Sequence, residues 1–499
     1  MMRFSETPEN TKFGKKECVK SVFLFLANYI LLMLIVSLFI WLNSLRIPGQ
    51  EFLPYITENY ASAIYLASSL LMLCCTIYFY YIFEDRRVLA SARSIWLIFM
   101  VLDVSLLVCY FFGYFFNIYS RPIALLALLA LLLCGRRDAI FLNVIFALGM
   151  FSIDNFSNFS AINEYSNAML VTPLLTFSAG MVGIFVGSKV KTRLRSVCTG
   201  FAICLPILVM IACLEYDRGA QIVWPLLYGL EGGVVSAVLF MALLPVFEAL
   251  FNCITDYRLR ELTDHDAPLM RELKQNAFGT FNHSIVVAHL AEACAIALDE
   301  DTALARAAAY YHDVGKLRQP EYFTENQTGY NPHNELTPEL SVDIIRSHAR
   351  DGYELIRSKH LPQILADVAL QHHGTLPVRY FYAKAMKISD GDVKIEEYSY
   401  SGPKPQSKIA AIIMIADASE AISRSLSDRS HQKVEKAVRE IIEERMDLGQ
   451  FDECDITMRD LSVIRVAIVN CLSGVYHGRI QYPQLKLQRK KEGETKEND

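Results

Sequence analysis

Long apolar runs dominate the first half of the chain, whereas the second half alternates apolar and polar positions at helical spacing. Eight runs come near the roughly 20 apolar residues that a membrane-spanning helix needs. They lie near 21–43, 61–83, 94–116, 122–135, 139–154, 169–188, 196–215 and 222–250. The fourth and fifth are short and are separated only by 135–138, so they form either a tight helical hairpin or one long interrupted segment.

The pattern of the second half predicts helices. Segments such as 288–298 and 305–312 carry apolar stripes with few β-branched residues, as amphipathic helices do. The sequence contains no alternating strands and no glycine-rich phosphate-binding loop, which removes the P-loop and dinucleotide-binding folds. The predicted fold class is therefore all-α, with a polytopic transmembrane helix bundle followed by a cytoplasmic all-α domain.

Basic residues concentrate in alternate loops between the apolar runs. They precede the first run and follow the second, fourth, sixth and eighth, whereas the other loops carry only Arg46, Arg121 and Arg218. Because basic loops stay in the cytoplasm, this alternation places both termini there and supports the count of eight spans. The first run is too long for a signal peptide and is followed by no small-residue cleavage pattern, so a retained anchor is predicted.

The predicted organisation has six parts. They are a cytoplasmic N-terminus (1–20), a first transmembrane anchor (21–43), a seven-helix transmembrane bundle (61–250), a helical connector (251–280), a C-terminal helical domain (281–480) and a disordered tail (485–499). Two acidic residues fall inside spans, Asp103 in the third and Glu231 in the eighth. Intramembrane charge is costly and often functional. Pairing within the bundle, or a place near an interface, is favoured here over a relay or ligand site.

Composition agrees with a membrane-attached protein. The chain is 53% hydrophobic, has a mean hydropathy of +0.26 and carries a net charge of −5. Its partners are therefore expected to include the lipid bilayer, and no basic field points to a nucleic-acid polymer. The twelve cysteines form no CxxC pair, so they are expected to be small buried hydrophobes rather than disulfides or metal ligands.

The candidate chemistry is a series of histidines and aspartates in the second half, where all eleven histidines lie. The series comprises His283, His312, Asp313, His348, His372, His373 and Asp417. A bridging carboxylate with terminal imidazoles can hold two divalent ions about 3.5–4 Å apart, which clamp both oxygens of a phosphoryl displacement. Asp313 is the natural bridge because His312 offers a ligand from the same turn. Mixed nitrogen and oxygen ligands suit Mn, Fe, Ni or Zn better than Mg.

The sequence around these residues resembles a known family. The matching segments are YYHDVGKL (310–317), NPHNELTPELS (331–341), SHARDG (347–352), QHHGT (371–375), GPKPQSK (402–408) and MIADASEA (414–421). They resemble the HD-domain phosphohydrolases, and more narrowly the seven-transmembrane HD phosphodiesterases of the PgpH type, which cleave the bacterial second messenger cyclic di-AMP. The resemblance covers roughly 243–476 closely and fits the preceding seven-span bundle in layout.

The resemblance implies a phosphodiesterase in the bacterial inner membrane with its HD domain in the cytoplasm. It implies one ion on His283, His312, Asp313 and Asp417, and a second on Asp313, His348 and the pair His372 and His373. Mn or Fe is the expected metal. A hydroxide held between the ions would attack phosphorus and yield linear 5′-pApA. Asp313 and Lys316 are the predicted catalytic residues, with Lys316 steadying phosphate charge; a helix-surface cation is the other interpretation of Lys316.

Two other functions stay open. An HD phosphohydrolase acting on another nucleotide would use the same ligands, because metal ions contact phosphate and not base. A membrane receptor that senses nucleotide without turnover would be favoured by an incomplete ligand set. The related HD-GYP group is disfavoured because its HHE and DGxGYP sequences are missing here. The resemblance leaves a homodimer open, and only 44–60 stands where family members usually carry a large extracellular domain.

Three further features have structural interpretations that we favour or weigh equally. Asp264-His265-Asp266 resembles a metal cluster, but Asp266 before Pro268 is typical of a helix start. His333 fits loop structure at least as well as nucleotide contact. The aromatic run 380–382 could stack on adenine, although such runs more often belong to a core.

Overall fold

The computed structural model of the chain describes residues 14–45, 52–157, 168–190, 193–389 and 393–475. Within those ranges the secondary structure is helical, and the strand-like feature is one isolated bridge between Pro377 and Ser399. The all-α prediction is therefore confirmed. Most of the predicted N-terminus, most of loop 155–168 and the tail 485–499 lie outside the described residues.

The chain divides into two compact units. One comprises Met1–Ala267 with His360–Ile364, and the other Pro268–Lys359 with Leu365–Asp499. We call them the membrane unit and the C-terminal unit. The division between them falls inside the stretch predicted as a helical connector, which contains two short helices, Asp256–Leu262 and Pro268–Asn276.

The membrane unit is built from apolar helices joined by short helical turns. Its helices, in the described parts, are α1 Lys15–Ser44, α2 Phe52–Glu58, α3 Tyr60–Glu84, α4 Arg86–Ala90, α5 Ala92–Phe115, α6 Leu125–Leu133, α7 Arg136–Ser157, α8 Ala168–Gly187, α9 Arg193–Val197, α10 Thr199–Leu214, α11 Val223–Phe251 and α12 Asp256–Leu262. All eight predicted runs are therefore helical in whole or in part.

Length and composition allow seven helices of the described chain to cross a membrane. Six correspond to predicted spans, namely α1, α3, α5, α7 and the helices ending at Leu214 and Phe251. The seventh, Phe278–Leu298, belongs to the C-terminal unit and carries His283. The segments 118–133 and 172–187 are apolar but shorter. The chain is thus a multi-pass membrane protein, and the count of eight crossings stays a prediction.

The fourth predicted span is a broken helix. A 3₁₀ turn at Ile118–Ser120 and Pro122 precede α6, whose nine residues reach only about 14 Å. This segment is buried against α5, α7, α8 and α11. Non-helical backbone is tolerated at membrane depth only where protein covers it. α6 and α7 are separate helices joined at Gly135, whose φ of 99° suits glycine, so the hairpin alternative is the correct one.

A buried ion pair fixes this broken segment. Arg121 lies 1% exposed, and its Nη1 donates to Oδ2 of Asp154 on α7 at 2.7 Å. The hydroxyl of Tyr110 donates to the other oxygen of Asp154 at 2.6 Å, and the guanidinium lies 4.7 Å from the Tyr110 ring centre. The sequence placed Arg121 in an outer loop. Arg121 does lie in the non-helical stretch between α5 and α6, but its side chain points into the interior of the membrane unit, which the sequence did not predict.

Glu231, the acidic residue inside the eighth span, is paired as expected. Its Oε2 accepts a hydrogen bond from the Ser120 hydroxyl at 2.9 Å, so α11 is tied to the same broken segment. Gly232 beside it leaves room for that approach. A Cβ there would lie 2.7 Å from the Tyr119 carbonyl oxygen and 2.9 Å from that of Arg121.

We expect the Arg121–Asp154 pair to be a large contributor to the stability of the membrane unit. Arg121→Met should lower the free energy of unfolding by about 3–5 kcal/mol, because it leaves a buried carboxylate without its cation. The double variant Arg121→Met with Asp154→Leu should recover most of that loss. Unfolding of the full chain in denaturing detergent measures both.

The control is Arg87→Met, which removes an exposed pair with Asp85 and should cost about 0–1 kcal/mol. The interpretation fails if Arg121→Met costs no more than this control.

The C-terminal unit has nine described helices, one of which is central. They are α13 Pro268–Asn276, α14 Phe278–Leu298, α15 Thr302–Tyr311, α16 Pro338–Ser358, α17 Gln363–Gln371, α18 Arg379–Ile388, α19 Lys408–Ser425, α20 His431–Asp447 and α21 Met458–Val475. The central helix, α14, contacts α13, α15, α19 and α21. Its buried face is lined by small residues, among them Ala288, Ala291 and Cys294. Small side chains let neighbouring helices come close, so side chains from several helices can meet at one point.

Side-chain caps set where the helices that carry the site begin. The Asp301 carboxylate accepts hydrogen bonds from two backbone N–H groups at the start of α15. The Thr337 hydroxyl accepts one at the start of α16, whose first helical residue is Pro338. The Ser407 hydroxyl caps α19. α15 ends at Tyr311, and a 3₁₀ turn, Val314–Arg318, follows it. These starts and stops bring the ends of several helices to the face of α14 that bears His283.

Candidate active site

The seven histidine and aspartate residues singled out in the sequence converge in the C-terminal unit. His283 lies on α14, His348 on α16 and Asp417 on α19. His312 and Asp313 follow the last residue of α15, and His372 and His373 follow the last residue of α17. Ligand atoms of these residues form three overlapping groups within 4.8 Å of one another. Two of the three groups share Asp313.

Asp313 stands at the centre because each of its carboxylate oxygens faces a different pair of imidazoles. Its Oδ2 lies 3.6 Å from Nε2 of His283 and 3.3 Å from Nε2 of His312. Its Oδ1 lies 3.4 Å from Nε2 of His348 and 3.5 Å from Nε2 of His372. This is the arrangement that a carboxylate bridging two cations requires.

Asp417 and His373 close the two sides of the site. Asp417 Oδ1 is 3.0 Å from Nε2 of His283, and its Oδ2 is 3.9 Å from Nδ1 of His373. The ring of Tyr400 stacks on His373 with centroids 4.4 Å apart and covers it. Asp417 therefore shares the side of His283 and also reaches the His372–His373 turn.

Hydrogen bonds at Nδ1 fix the orientation of four imidazoles. Three of these nitrogens face a backbone carbonyl three residues earlier: Nδ1 of His312 at 2.7 Å from Ala309, of His348 at 2.5 Å from Ile345, and of His372 at 2.8 Å from Ala369. Nδ1 of His283 lies 2.6 Å from Oε2 of Glu420. An N–H at Nδ1 leaves the Nε2 lone pair directed at Asp313, as metal-binding histidines are usually held.

The electrostatics favour an ionised centre. Burial acts to raise the pKa of Asp313, but the interactions of its carboxylate with His312 and Lys316 hold it well below its usual range. Burial lowers the pKa of His348 to about 3, so its imidazole is neutral. Burial alone would lower the pKa of His283, but hydrogen bonds to Asp417 and Glu420 raise it to about 10. A cation bound there would displace that proton.

Lys316 is an interior residue of the site. Its Nζ lies 2.7 Å from Asp313 Oδ2 and 2.8 Å from Glu325 Oε1. Burial disfavours the ammonium, but these two carboxylates raise the pKa of Lys316 above its usual value. The interpretation of Lys316 as a helix-surface cation is wrong, because its side chain is only 12% exposed.

The residues present fit a divalent-metal site. Among the described residues, Nε2 of His312 and Oδ1 of Asp313 are buried without a hydrogen-bond partner. Buried polar atoms are rarely left without one. Imidazole nitrogen together with carboxylate oxygen is the donor set that transition metals prefer over Mg. The number and identity of the ions stay a prediction.

Sequence reasoning missed the residues that support the ligands. Glu420 is 3% exposed and receives a second bond from Arg424 Nε at 3.0 Å, so its carboxylate is fixed against His283. Gln450 accepts from the Thr375 backbone N–H at 2.9 Å and holds the turn after His373. Glu420 follows Asp417 by three residues, so the spacing of one helical turn was a usable signal. Gln450 has no such signal, because its partner lies far along the chain.

The other residues that the sequence singled out lie at a helix start, in a loop and partly in the core. α13 begins at Pro268 as predicted, and Asp264-His265-Asp266 is in none of the candidate metal groups of the described chain. His333 is buried, with Nε2 3.0 Å from the Tyr322 carbonyl oxygen, which agrees with a loop role. Of the aromatic run, Phe381 is buried and Tyr380 is 72% exposed, so the run is core in part only.

An all-helical unit that gathers histidines around one buried aspartate, in a chain with a bundle of apolar helices, defines a class: membrane proteins with an HD-type metal site. Two family models match the chain. One is described as HD domain and covers residues 280–422, and the other is described as 7TM receptor with intracellular HD hydrolase and covers residues 59–255. The chain is thus similar to this seven-transmembrane HD family over 59–255 and 280–422, and the resemblance stated from the sequence is confirmed.

Two named relatives are similar to long parts of this chain. The chain is 46% identical over 260 residues to the cyclic-di-AMP phosphodiesterase PgpH of Listeria monocytogenes serotype 1/2a (strain 10403S), covering 52% of this chain and 36% of that protein. It is 38% identical over 372 residues to the cyclic-di-AMP phosphodiesterase PgpH of Bacillus subtilis (strain 168), covering 73% of this chain and 51% of that one. The chain thus spans between about a third and a half of their length.

A solved structure is also similar. It is the crystal structure of the L. monocytogenes phosphodiesterase PgpH HD domain in complex with cyclic-di-AMP. Its sequence is 48% identical, and the match covers 43% of this chain and 100% of that chain with a TM-score of 0.42.

We expect Glu420 to control metal affinity through His283. Glu420→Ala should weaken Mn²⁺ binding about 10–100-fold, because the imidazole loses the acceptor that fixes its orientation. Calorimetric titration of the purified full chain with Mn²⁺ measures the change. Glu420→Gln keeps an oxygen acceptor and should restore part of the affinity.

The matched control is Glu292→Ala, which removes a half-exposed glutamate of α14 that pairs with Arg306. Equal affinity in Glu420→Ala and this control would contradict the orienting role.

Proposed function

We propose that this chain is a membrane-bound, metal-dependent phosphodiesterase that hydrolyses cyclic di-AMP to linear 5′-pApA. The observation that carries the proposal is the position of Asp313, whose two oxygens each face two imidazole Nε2 atoms. The names of the Listeria and Bacillus relatives, both cyclic-di-AMP phosphodiesterases, support the substrate. The complete ligand set argues against a receptor without turnover.

Two ions are proposed, one on each side of Asp313. His283, His312 and Asp417 would hold one with Asp313, and the other would be held by His348, His372 and His373 with Asp313. Divalent ions at these positions would supply Lewis-acid polarisation of a phosphodiester and activation of water. Mn or Fe is the proposed metal, because both accept mixed imidazole and carboxylate ligands.

The chain's own residues would orient the substrate and stabilise charge. Lys316 holds its ammonium 2.7 Å from Asp313, next to the place where a phosphate would meet the ions, and would stabilise the charge that develops there. Glu325 keeps that ammonium in place at 2.8 Å. Tyr400, stacked on His373, would form a wall of the substrate pocket.

The proposed location is the bacterial inner membrane with the C-terminal unit in the cytoplasm. Basic residues flank every second apolar run, and the last such group, Arg258 and Arg260, immediately precedes the C-terminal unit. A cytoplasmic site would reach a cytoplasmic nucleotide.

Asp313→Asn tests the proposal most simply. It should abolish hydrolysis of cyclic di-AMP by the purified, Mn-loaded full chain, because a neutral amide cannot bridge two cations. The readout is chromatographic separation of cyclic di-AMP from linear 5′-pApA. Asp299→Asn is the control: Asp299 is exposed, and its left-handed backbone, with φ of 57°, is one that Asn adopts readily. Turnover by Asp313→Asn comparable with that of this control would refute the bridging role.

Metal removal and a nucleotide panel separate the proposed function from its rivals. Chelation should abolish activity, and Mn²⁺ or Fe²⁺ should restore it, because the ligands hold no catalytic group able to replace the ions. Cyclic di-AMP should be cleaved faster than cyclic di-GMP or linear dinucleotides. Faster cleavage of another nucleotide would point to the phosphohydrolase alternative, and tight binding without turnover to the receptor.

A further inference from the structure

Asp103 is a buried carboxyl in the middle of the membrane unit. It lies on α5, is 4% exposed, and its Oδ2 is fully enclosed with no hydrogen-bond partner among the described residues. The sequence favoured a residue paired within the bundle, and in that part of the chain which the structure describes no such pair forms. Glu231, the comparable residue of α11, does have its partner in Ser120.

Asp103 lines a cavity. The cavity has a volume of about 50 Å³ and lies among α1, α3, α5 and α7. Apart from the Cys74 thiol its lining is otherwise apolar, with side chains such as Leu32, Phe146 and Ile153, and Asp103 supplies the one side-chain oxygen group in it. The volume is several times the ~10–15 Å³ that one water needs. A mostly apolar lining with very few polar groups is the usual composition of a small-molecule site.

The chemistry of the lining restricts the occupant. A metal ion would need several ligands, and the described lining offers only one carboxyl and one thiol, that of Cys74. Ordered waters need two to four polar partners each, which this lining does not supply. An apolar molecule with one polar group would suit this lining, because its apolar body would pack on the leucines and its polar group would bond to Asp103.

The cavity reaches the lipid-facing side of the helices. Leu32, Leu102 and Gly149 line it and are each only half-buried, so they form its rim. Gly149 leaves the rim open, because a Cβ there would have only Leu73 as a neighbour, at 3.8 Å. Gly149 is therefore the place where a molecule dissolved in the bilayer would enter the cavity.

We propose that this cavity is a binding site for a small apolar molecule with one hydrogen-bonding head group, an alcohol or an amine, which enters from the lipid and bonds to the Asp103 carboxyl. The site lies in the membrane unit and does not depend on the proposed hydrolysis.

The test measures access to Asp103 in the full chain in lipid nanodiscs. Diisopropylcarbodiimide, an apolar reagent, adds a buried carboxyl across one of its C=N bonds, and mass spectrometry of the Asp103 peptide gives the rate. Asp103 should be modified, and n-hexanol or n-hexylamine should slow that modification about tenfold at saturation. n-Hexane, without a head group, should leave the rate unchanged, and the stronger protector identifies the head group.

Two variants and an internal reference complete the design. Gly149→Leu should slow modification as the probes do, because its side chain occupies the rim, whereas Gly149→Ala makes ordinary contact with Leu73 and should not. Glu231, outside the cavity, reports general effects on the bilayer. The proposal is overturned if Asp103 is not modified, if neither probe protects it, or if hexane or the Glu231 peptide shows the same protection. Protection in the wild-type chain decides the matter even if Gly149→Leu fails to fold.

Discussion

The carboxylate of Asp313 faces four imidazoles at once, and the rest of the C-terminal unit is arranged around that contact. Each of its oxygens lies between 3.3 and 3.6 Å from two Nε2 atoms. Such a group of buried nitrogen and oxygen atoms is costly without a cation, because few of them have partners of their own. A cation bound at this centre would offset that cost.

Helix geometry supplies the imidazoles with little strain. Three of them bond through Nδ1 to a carbonyl three residues earlier, so the helix or turn that carries the residue also orients it. The Nδ1 of His283, on α14, faces the Glu420 carboxylate of α19 instead. Gly315, next to this centre, allows the close crossing of α16: a Cβ there would lie 1.9 Å from the His348 carbonyl oxygen.

The sequence predicted which histidines and aspartates the structure brings together, because their types and spacing are distinctive. His312 beside Asp313, and His372 beside His373, place two ligands on one turn, and the surrounding segments resemble a family. The supporting residues were harder to find. Tyr400 and Gln450 act through partners distant in the chain, and polarity alone does not distinguish them from surface residues.

In the membrane unit, too, contacts between residues distant in the chain could not be predicted from the sequence. Hydropathy located the apolar helices of the membrane unit, but it could not show that the fourth run is broken before α6. Hydropathy therefore gave no sign that Arg121 is buried and pairs with Asp154, which lies 33 residues later at the end of the fifth run. Asp103 was expected to find a partner in the bundle, and its carboxyl instead faces an apolar cavity. Burial and pairing of intramembrane charge depend on helix packing, which hydropathy does not encode.

The central claim is that Asp313 bridges two cations. Anomalous X-ray scattering at the Mn edge, from crystals of the Mn-loaded protein, tests it most directly. The account predicts two anomalous peaks about 3.5–4 Å apart, one between Asp313 and His283 and the other between Asp313 and His348. A single peak, or peaks away from Asp313, would contradict it.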